Sequence, residues 1–148
     1  MRLILQRVKS ANVKVTNKTV GKISHGFLLL IGVSKNDEEK DADKLIEKVL
    51  KLRLFPDSDL SNSFMGKNVQ EVSGSILVVS QFTLFAEFNK GTKPSFSEAA
   101  EPEKAKELYN YFIDRLRSRG VKVETGVFAA HMEVELINDG PITLVLES

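Results

Sequence analysis

The fold is decided by one stretch near the middle of the chain, Ile76-Leu77-Val78-Val79-Ser80-Gln81-Phe82-Thr83-Leu84-Phe85. Its first four residues are all apolar and include two β-branched valines, which predicts a strand that is buried on both faces. From Ser80 onward, polar residues are interleaved with large apolar ones. The buried strand therefore delivers two hydroxyls and an amide to one place, where they either take part in chemistry or only hydrogen-bond to nearby backbone.

Length and composition limit the classes of protein that fit. A chain of 148 residues with 42% hydrophobic and 28% charged residues suits one soluble globular domain, residues 1–148. Because there are no cysteines, disulfides and thiol catalysis are excluded, and the reducing cytoplasm is the expected location. No apolar run approaches the ~20 residues that a membrane helix needs. The net charge of +1 argues against a protein that coats nucleic acid, but leaves room for contact with one RNA end.

Strand patterning surrounds the central stretch on both sides. The segments with alternating or continuous apolar residues are 2–8, 12–16, 19–23, 26–33, 121–124, 131–136 and 142–146. A turn is expected at Asn17-Lys18, and Asn138-Asp139-Gly140-Pro141 is interpreted as the turn between the last two strands. A short strand is expected at 53–55, and residues 57–75 are predicted to form a flexible surface stretch.

Two amphipathic helices are predicted. Asn36 is the expected N-cap of the first, with Glu39 completing a capping box, and its apolar residues from Ala42 to Leu52 recur at helical spacing. The second is expected to begin at Pro102 and to end at Gly120. The predicted fold class is therefore α/β of the α+β kind, with mostly antiparallel sheets and two main helices.

Three features permit both a functional and a structural interpretation. The loop from Ala86 to Phe96 carries two lysines and two phenylalanines, which suit a phosphate and a base but equally an ordered loop. His25 and His131 each lack a second histidine or cysteine nearby, so they are interpreted as a turn residue and a solvated strand residue, and no metal or cofactor is predicted. Gly140-Pro141 belongs to the class of bonds in which the cis form costs little.

Two motifs together carry a family resemblance. Ser80-Gln81-Phe82-Thr83-Leu84 and Asn138-Asp139-Gly140-Pro141-Ile142-Thr143 resemble the signature motifs of the D-aminoacyl-tRNA deacylases of the bacterial and eukaryotic type. The similarity extends over nearly the whole chain and includes Gln6-Arg7-Val8, Asp41-Ala42-Asp43, Pro94-Ser95-Phe96 and Gly126–Met132. It implies a compact homodimer that hydrolyses the ester joining a D-amino acid, or glycine, to the terminal adenosine of tRNA, at a site on the subunit interface.

The resemblance also implies roles for individual residues. The Gly140-Pro141 bond is expected to be cis and to reach into the partner's pocket, where its carbonyls would accept hydrogen bonds from the substrate's α-ammonium. Asn138 belongs to the same substrate-binding motif, and Arg7 would brace it. Backbone N–H groups at Phe82 and Thr83 would stabilise the oxyanion.

Other expected contacts concern the tRNA end. Ser80 and Gln81 would hold the geometry of the catalytic segment, whereas Phe128 and Met132 would line the adenosine site. Lys90 and Lys93 would approach phosphates. The chain departs from the family pattern at Ala129, where glycine is expected, at His131, where Asp or Asn is commoner, and at Thr92 and Lys93, where arginines are frequent.

Alternatives stay open at the level of mechanism and of function. Thr83 is a candidate nucleophile, but a threonine hydroxyl needs a base, so the vicinal 2′-OH of the substrate ribose is the favoured assistant. A dimeric module that binds an RNA 3′ end without catalysis, and a general ester or peptide hydrolase using Ser80 or Thr83, are the competing functions.

Overall fold

The computed structural model describes residues 1–57, 63–88 and 91–148. Within these ranges the elements are β1 (Arg2–Val15), β2 (Lys18–Ile23), β3 (Gly26–Gly32), α1 (Glu39–Lys51), β4 (Phe55–Asp57), β5 (Ser63–Lys67), β6 (Ser75–Ser80), a 3₁₀ helix (Phe82–Phe85), α2 (Pro102–Ser118), β7 (Lys122–Thr125) and β8 (Glu133–Glu147). No helix in this part of the chain is long and apolar enough to cross a membrane.

The main sheet is mixed and is built around β1. Its strand order is β2-β1-β3-β6-β7, and β8 pairs with β1 as well. β1 is antiparallel to β2, β3 and β8, whereas β6 lies parallel to both β3 and β7. A separate antiparallel hairpin is formed by β4 and β5. The predicted class, a sheet-dominated fold with two helices, is confirmed.

β6 is buried on both faces, as its composition predicts. Ile76 and Val78 belong to the core cluster that includes residues of α1 and α2, such as Leu45 and Phe112. Leu77, with its neighbour Val79, belongs to a second core cluster on the other face of the sheet. All four residues are at most 1% exposed, so the strand is clamped between two cores and its carboxyl end is held in a defined position.

The predicted boundaries of the first and last long strands are wrong. Segments 2–8 and 12–16 form one strand, and so do 131–136 and 142–146, with the second long strand beginning only at Glu133. Asn138–Pro141 is thus an irregularity inside β8 rather than a turn, and the register against β1 shifts on either side of Val8. The side-chain amide of Asn138 donates to the backbone carbonyls of Arg7 (3.1 Å) and Ile142 (3.2 Å). The bond to Arg7 holds the irregular segment against β1, and the bond to Ile142 closes the segment within β8, so the strand continues through it.

Local chemistry explains the other corrections. The first turn lies at Thr16 and Asn17, whose φ values are 47° and 62°, one residue before the predicted place. The N-cap of α1 is Glu38, whose N–H donates to Asp41 at 3.0 Å, and not Asn36. The short strand begins at Phe55 instead of residue 53.

The surface stretch 57–75 is more ordered than predicted. It contains β5, and Val69 is fully buried against the core. Residues 58–62 of this stretch lie outside the described residues. α2 begins at Pro102 as predicted, and Gly120, with a φ of 80°, follows its end.

Candidate active site

A cavity of about 630 Å³ lies at the carboxyl end of β6. Its wall combines the end of that strand, the residues that lead into α2, the first two turns of α2, and the segment before β8. Its lining includes Ser80, Gln81, Phe82, Tyr109, Phe128 and Met132. Its volume falls in the range of small-molecule sites, and its position outside the ends of parallel strands is a common one for ligand binding.

The segment after β6 is placed by its contact with β3. The N–H of Gln81 donates to the carbonyl of Ile31 at 2.8 Å. Gly32 allows this close approach, because a Cβ there would lie 3.1 Å from both the Gln81 carbonyl oxygen and the Leu84 side chain. The chain then enters the 3₁₀ helix, where the Leu84 N–H donates to the Gln81 carbonyl at 3.3 Å.

Two backbone donors are left available where this helix begins. Among the described residues, neither the N–H of Phe82 nor that of Thr83 has an acceptor, as expected for the first N–H groups of a helix. The side-chain amide of Gln81 donates to the Thr83 hydroxyl. The Phe82 ring is 57% exposed and stands edge-on to Phe96, with 5.0 Å between ring centroids. Both N–H groups can therefore donate to an oxygen atom of a ligand.

The cavity wall opposite is aromatic and apolar. The rings of Tyr109 and Phe128 lie 5.7 Å apart, and the buried Tyr109 hydroxyl donates to the Val78 carbonyl at 2.9 Å. Burial raises the pKa of Tyr109 to about 12, because charge is costly away from water. This hydroxyl is thus a neutral structural donor at physiological pH.

A second polar cluster lies at the irregular segment of β8. Arg7 is only 1% exposed. Its Nε lies 2.9 Å from the Asp139 carboxylate and 3.2 Å from the Asp139 carbonyl, and its guanidinium also donates to the carbonyl of Leu54. The neighbouring Gly140-Pro141 peptide bond is cis, in agreement with the resemblance, and both residues are exposed.

Within one chain the predicted site residues fall into two groups. Ser80, Gln81, Phe82, Phe128 and Met132 line the cavity. The other predicted residues, namely Thr83, Arg7, Asn138, Gly140 and Pro141, do not belong to its lining among the described residues. Lys93 is exposed, and Lys90 lies outside the described residues. The first motif therefore borders the cavity within one chain, while the second presents an exposed surface elsewhere.

Some cavity residues were not predicted as functional. No functional role is predicted from the sequence for Tyr109, and His131 is interpreted as a solvated strand residue. His131 is exposed as predicted, but it precedes β8 and lies at the cavity wall. The one signal in the sequence is its position between Phe128 and Met132, since periodicity alone carries no information on what a residue adjoins.

The chain resembles a described protein family over almost its whole length. The family model for D-Tyr-tRNA(Tyr) deacylase matches residues 4–147. The chain belongs to this family. A D-aminoacyl-tRNA deacylase of Cellvibrio japonicus is 55% identical over 144 residues, with 97% of each chain covered. Another, from Thermosipho melanesiensis, is 50% identical and covers 100% of this chain and 97% of its own.

Solved structures extend the comparison of this deacylase-family chain. A protein described as c-Myc DNA Unwinding Element Binding Protein superposes with a TM-score of 0.92 at 38% identity, covering 100% of this chain and 99% of its own. A probable eukaryotic D-amino acid tRNA deacylase superposes with a TM-score of 0.85, covering 99% and 98%. At 18% identity, the second comparison bears on the fold alone.

The departure at Ala129 from the expected glycine has a structural meaning in this family member. Ala129 has a φ of 60°, a left-handed conformation that glycine adopts without the steric cost that a Cβ brings. It lies in the cavity wall beside Phe128. The backbone turn at this point therefore follows the path that suits glycine, even though the residue differs.

Proposed function

We propose that the protein is a D-aminoacyl-tRNA deacylase, which hydrolyses the ester between a D-amino acid and the 3′-terminal adenosine of tRNA. The observation that carries the proposal is the pair of N–H groups at Phe82 and Thr83, which have no acceptor in the described chain. Phe82 lines an apolar cavity, and Thr83 follows it in the 3₁₀ helix. The cavity takes the adenosine, with Phe128 and Met132 in its wall. Family membership supports the reaction class.

The two N–H groups stabilise the charge that develops during hydrolysis. Water attacks the carbonyl carbon of the ester, the carbonyl oxygen becomes an oxyanion, and the bond to the ribose oxygen then breaks. The ribose oxygen leaves as a hydroxyl, and the amino acid leaves as a carboxylate. One such donor is worth about 2.7–4 kcal/mol. Ser80 and Gln81 hold these donors in place, because Gln81 is tied to both β3 and Thr83.

Selection for the D configuration comes from the second motif. In a homodimer, the carbonyl oxygens of Gly140 and Pro141 of the partner subunit accept hydrogen bonds from the substrate's α-ammonium. An L side chain then collides with the pocket wall, whereas a D side chain points to solvent. Rejection by collision works for every side chain, but glycine escapes it. The exposure of Gly140 and Pro141, away from the cavity of their own chain, is consistent with action across an interface.

The substrate's own 2′-OH assists the attack, rather than Thr83 acting as nucleophile. The Thr83 hydroxyl accepts a hydrogen bond from the Gln81 amide, and an amide is no base that would activate it. We expect Thr83→Ala to keep kcat within about tenfold of the unaltered protein, because the backbone N–H remains. A loss of ~10³-fold or more in a folded variant would instead identify Thr83 as the nucleophile.

The function is tested by incubation with matched D- and L-aminoacyl-tRNA of one amino acid, followed by measurement of amino-acid release. Release from the D substrate alone supports the proposal. Binding without release would establish the RNA 3′-end module, and release from both would establish a general hydrolase. Glycyl-tRNA, run in parallel, is expected to be cleaved because it has no side chain to reject.

The shared site is tested by mixing two inactive variants. Phe82→Pro removes an oxyanion donor from one subunit, and Gly140→Val blocks the ammonium site that the other supplies. Subunit exchange in a 1:1 mixture would restore about a quarter of the sites in a C2 dimer. If activity did not return although the subunits had exchanged, each site would be built by one chain.

The remaining parts of the proposal concern the tRNA itself. Lys93 is exposed on the loop after the catalytic segment and contacts phosphate. With a net charge of +1, these contacts are few, so binding is expected to depend only weakly on salt. The reaction belongs to the compartment in which charged tRNA is used, the cytoplasm.

A further inference from the structure

We propose that Phe64 is a positioning residue for the Gly140-Pro141 segment, and that it acts through Arg7. This inference rests on the proposed function, because it concerns the segment that selects the D configuration. Phe64 lies on β5, in a hairpin that is separate from the main sheet.

The contact that carries the inference is between an aromatic ring and a buried cation. The guanidinium carbon of Arg7 lies 4.8 Å from the centroid of the Phe64 ring. The ring is 46% exposed, while Arg7 beneath it is 1% exposed. Phe64 therefore covers the guanidinium, and a ring face attracts a cation most strongly where water is excluded.

Arg7 links the Phe64 ring to the segment that is proposed to bind substrate. Its Nε contacts both the carboxylate (2.9 Å) and the carbonyl (3.2 Å) of Asp139, the residue just before Gly140. Its other end donates to the carbonyl of Leu54, just before β4. The planar guanidinium is thus bound at its edge to two segments and on its face to Phe64, so removal of the ring leaves one face open to water.

The hairpin that carries Phe64 is anchored to the body of the protein. The Nε of Arg53 donates to the carbonyl of Gly66 at 2.6 Å. At the base of the hairpin, Phe55 pairs with Lys67 and packs on Phe27 with 5.0 Å between ring centroids. The ring is therefore presented to Arg7 from a fixed base, and hairpin and binding segment are coupled through one cation.

The experiment compares Phe64→Leu with Phe64→Tyr. Leucine keeps apolar cover but has no ring face, whereas tyrosine keeps the face. We expect Phe64→Leu to lower the ratio of kcat/KM for D- over L-aminoacyl-tRNA by roughly 5- to 30-fold, the range of a partly to fully desolvated cation–π contact. Phe64→Tyr should keep the D-over-L ratio of the unaltered protein. Met65→Ala is the matched control, since Met65 is similarly exposed at 49% and its side chain alternates to the other face of the strand.

A second readout separates this inference from the proposed function. Solvent exchange of the Arg7 Nε–H, followed by NMR, should be slow in the unaltered protein and in Phe64→Tyr, and faster in Phe64→Leu. Unchanged exchange and an unchanged D/L ratio in Phe64→Leu would overturn the inference, as would a Tyr variant that behaves like the Leu variant. If the unaltered protein showed no preference for D substrates, the proposed function would fail, and the exchange rates alone would still decide the role of Phe64.

Discussion

The two motif segments of this protein are built on opposite principles. The segment after β6 is fixed by apolar burial behind it and leaves two N–H groups of Phe82 and Thr83 without acceptors in the described chain. The segment around Gly140 is fixed by polar contacts, with Asn138 and the buried Arg7 as its supports. In the proposed function, the first segment supplies donors to the ester and the second supplies carbonyl acceptors to the ammonium group of one substrate.

The difference teaches where each segment is vulnerable. The donors at Phe82 and Thr83 belong to the backbone, so most side-chain substitutions leave them in place. The support of Gly140 depends on the side chains of Arg7 and Asn138, so a single substitution can weaken it. We therefore expect backbone changes to damage the first segment most and side-chain changes to damage the second.

The largest effect is expected from Phe82→Pro, which removes one N–H from the first segment. Phe82 is the first residue of the 3₁₀ helix, where proline is tolerated, and the preceding Gln81 has a φ of −146° outside the helical region. We expect kcat to fall about 10²- to 10³-fold, because one oxyanion donor is lost. Steady-state deacylation of D-aminoacyl-tRNA measures this loss.

The matched control is Phe82→Ala, which removes the same ring but keeps the N–H. It should lose much less activity than the proline variant. If the two variants were equally impaired, the ring and not the backbone donor would be the important group.

The next effect is expected from Arg7→Ala, which removes one of the two supports of the second segment. The Asp139 carboxylate, 34% exposed, would lose its buried partner, and the Leu54 carbonyl would lose a donor. We expect a loss of about 3 kcal/mol in the free energy of unfolding, at the low end for a broken buried pair because Asp139 is partly solvated. Denaturant unfolding measures the loss, and Arg7→Lys should recover only part of it, since lysine lacks the planar fork. An Arg7→Ala variant of unaltered stability would contradict this account of the segment.

Alkaline pH is expected to lower the stability of the protein through Tyr109, which lies in the wall of the cavity that the first segment borders. The pKa of Tyr109, raised by burial to about 12, lies above the value of 10.0 expected in the unfolded chain. Between these values the unfolded state loses a proton that the folded state keeps, so stability falls as pH rises, by about 2–3 kcal/mol in all.

Thermal unfolding at pH 9 to 12 would measure this loss, with Tyr109→Phe as the control. The variant gives up one hydrogen bond to Val78, whose carbonyl still accepts from the Gly126 N–H at 3.1 Å. Its stability should fall less steeply with pH. Identical slopes for both proteins would assign the alkaline loss to other groups.

The smallest effect is expected at Ala129, in the cavity wall. A left-handed alanine costs about 1–2 kcal/mol. Glycine removes this cost, but part of the gain in stability is lost because glycine makes the unfolded chain more flexible. We therefore expect Ala129→Gly to raise the free energy of unfolding by about 0.5 kcal/mol. Ala130→Gly, one residue on and without a positive φ, should lower it; a loss in both variants would mean that the conformation at Ala129 is not costly.

The sequence was sufficient for the fold wherever apolar residues determine it. The run from Ile76 to Val79 can be buried only between two cores, and the stripes of the two helices fit one face of a sheet. Turn-forming residues were less reliable for predicting where strands end. Asn138–Pro141 has the composition of a turn, yet its hydrogen bonds to Arg7 and Ile142 keep it within a strand. Propensity describes the segment alone, whereas the bond to Arg7 depends on a residue about 130 positions away.

The candidate site was predicted only in part for the same reason. The resemblance gave the motif residues, but neither Tyr109 in the cavity wall nor Phe64 over Arg7 carries a local signal. Each contributes through a contact between distant segments. Residue type and spacing do not predict such contacts until the topology is known.

The pairing of the first long strand with the last has a kinetic consequence. Arg2 of β1 pairs with Glu147 of β8, and Arg2 also donates to the Leu84 carbonyl at 2.6 Å. Contacts of such sequence separation form late, because closing long loops costs entropy before any contact is gained. During synthesis, the second motif cannot reach its final setting until β8, in which it lies, has left the ribosome and paired with β1. The polar support of this segment thus forms after the buried strand β6 and the segment that follows it have been made.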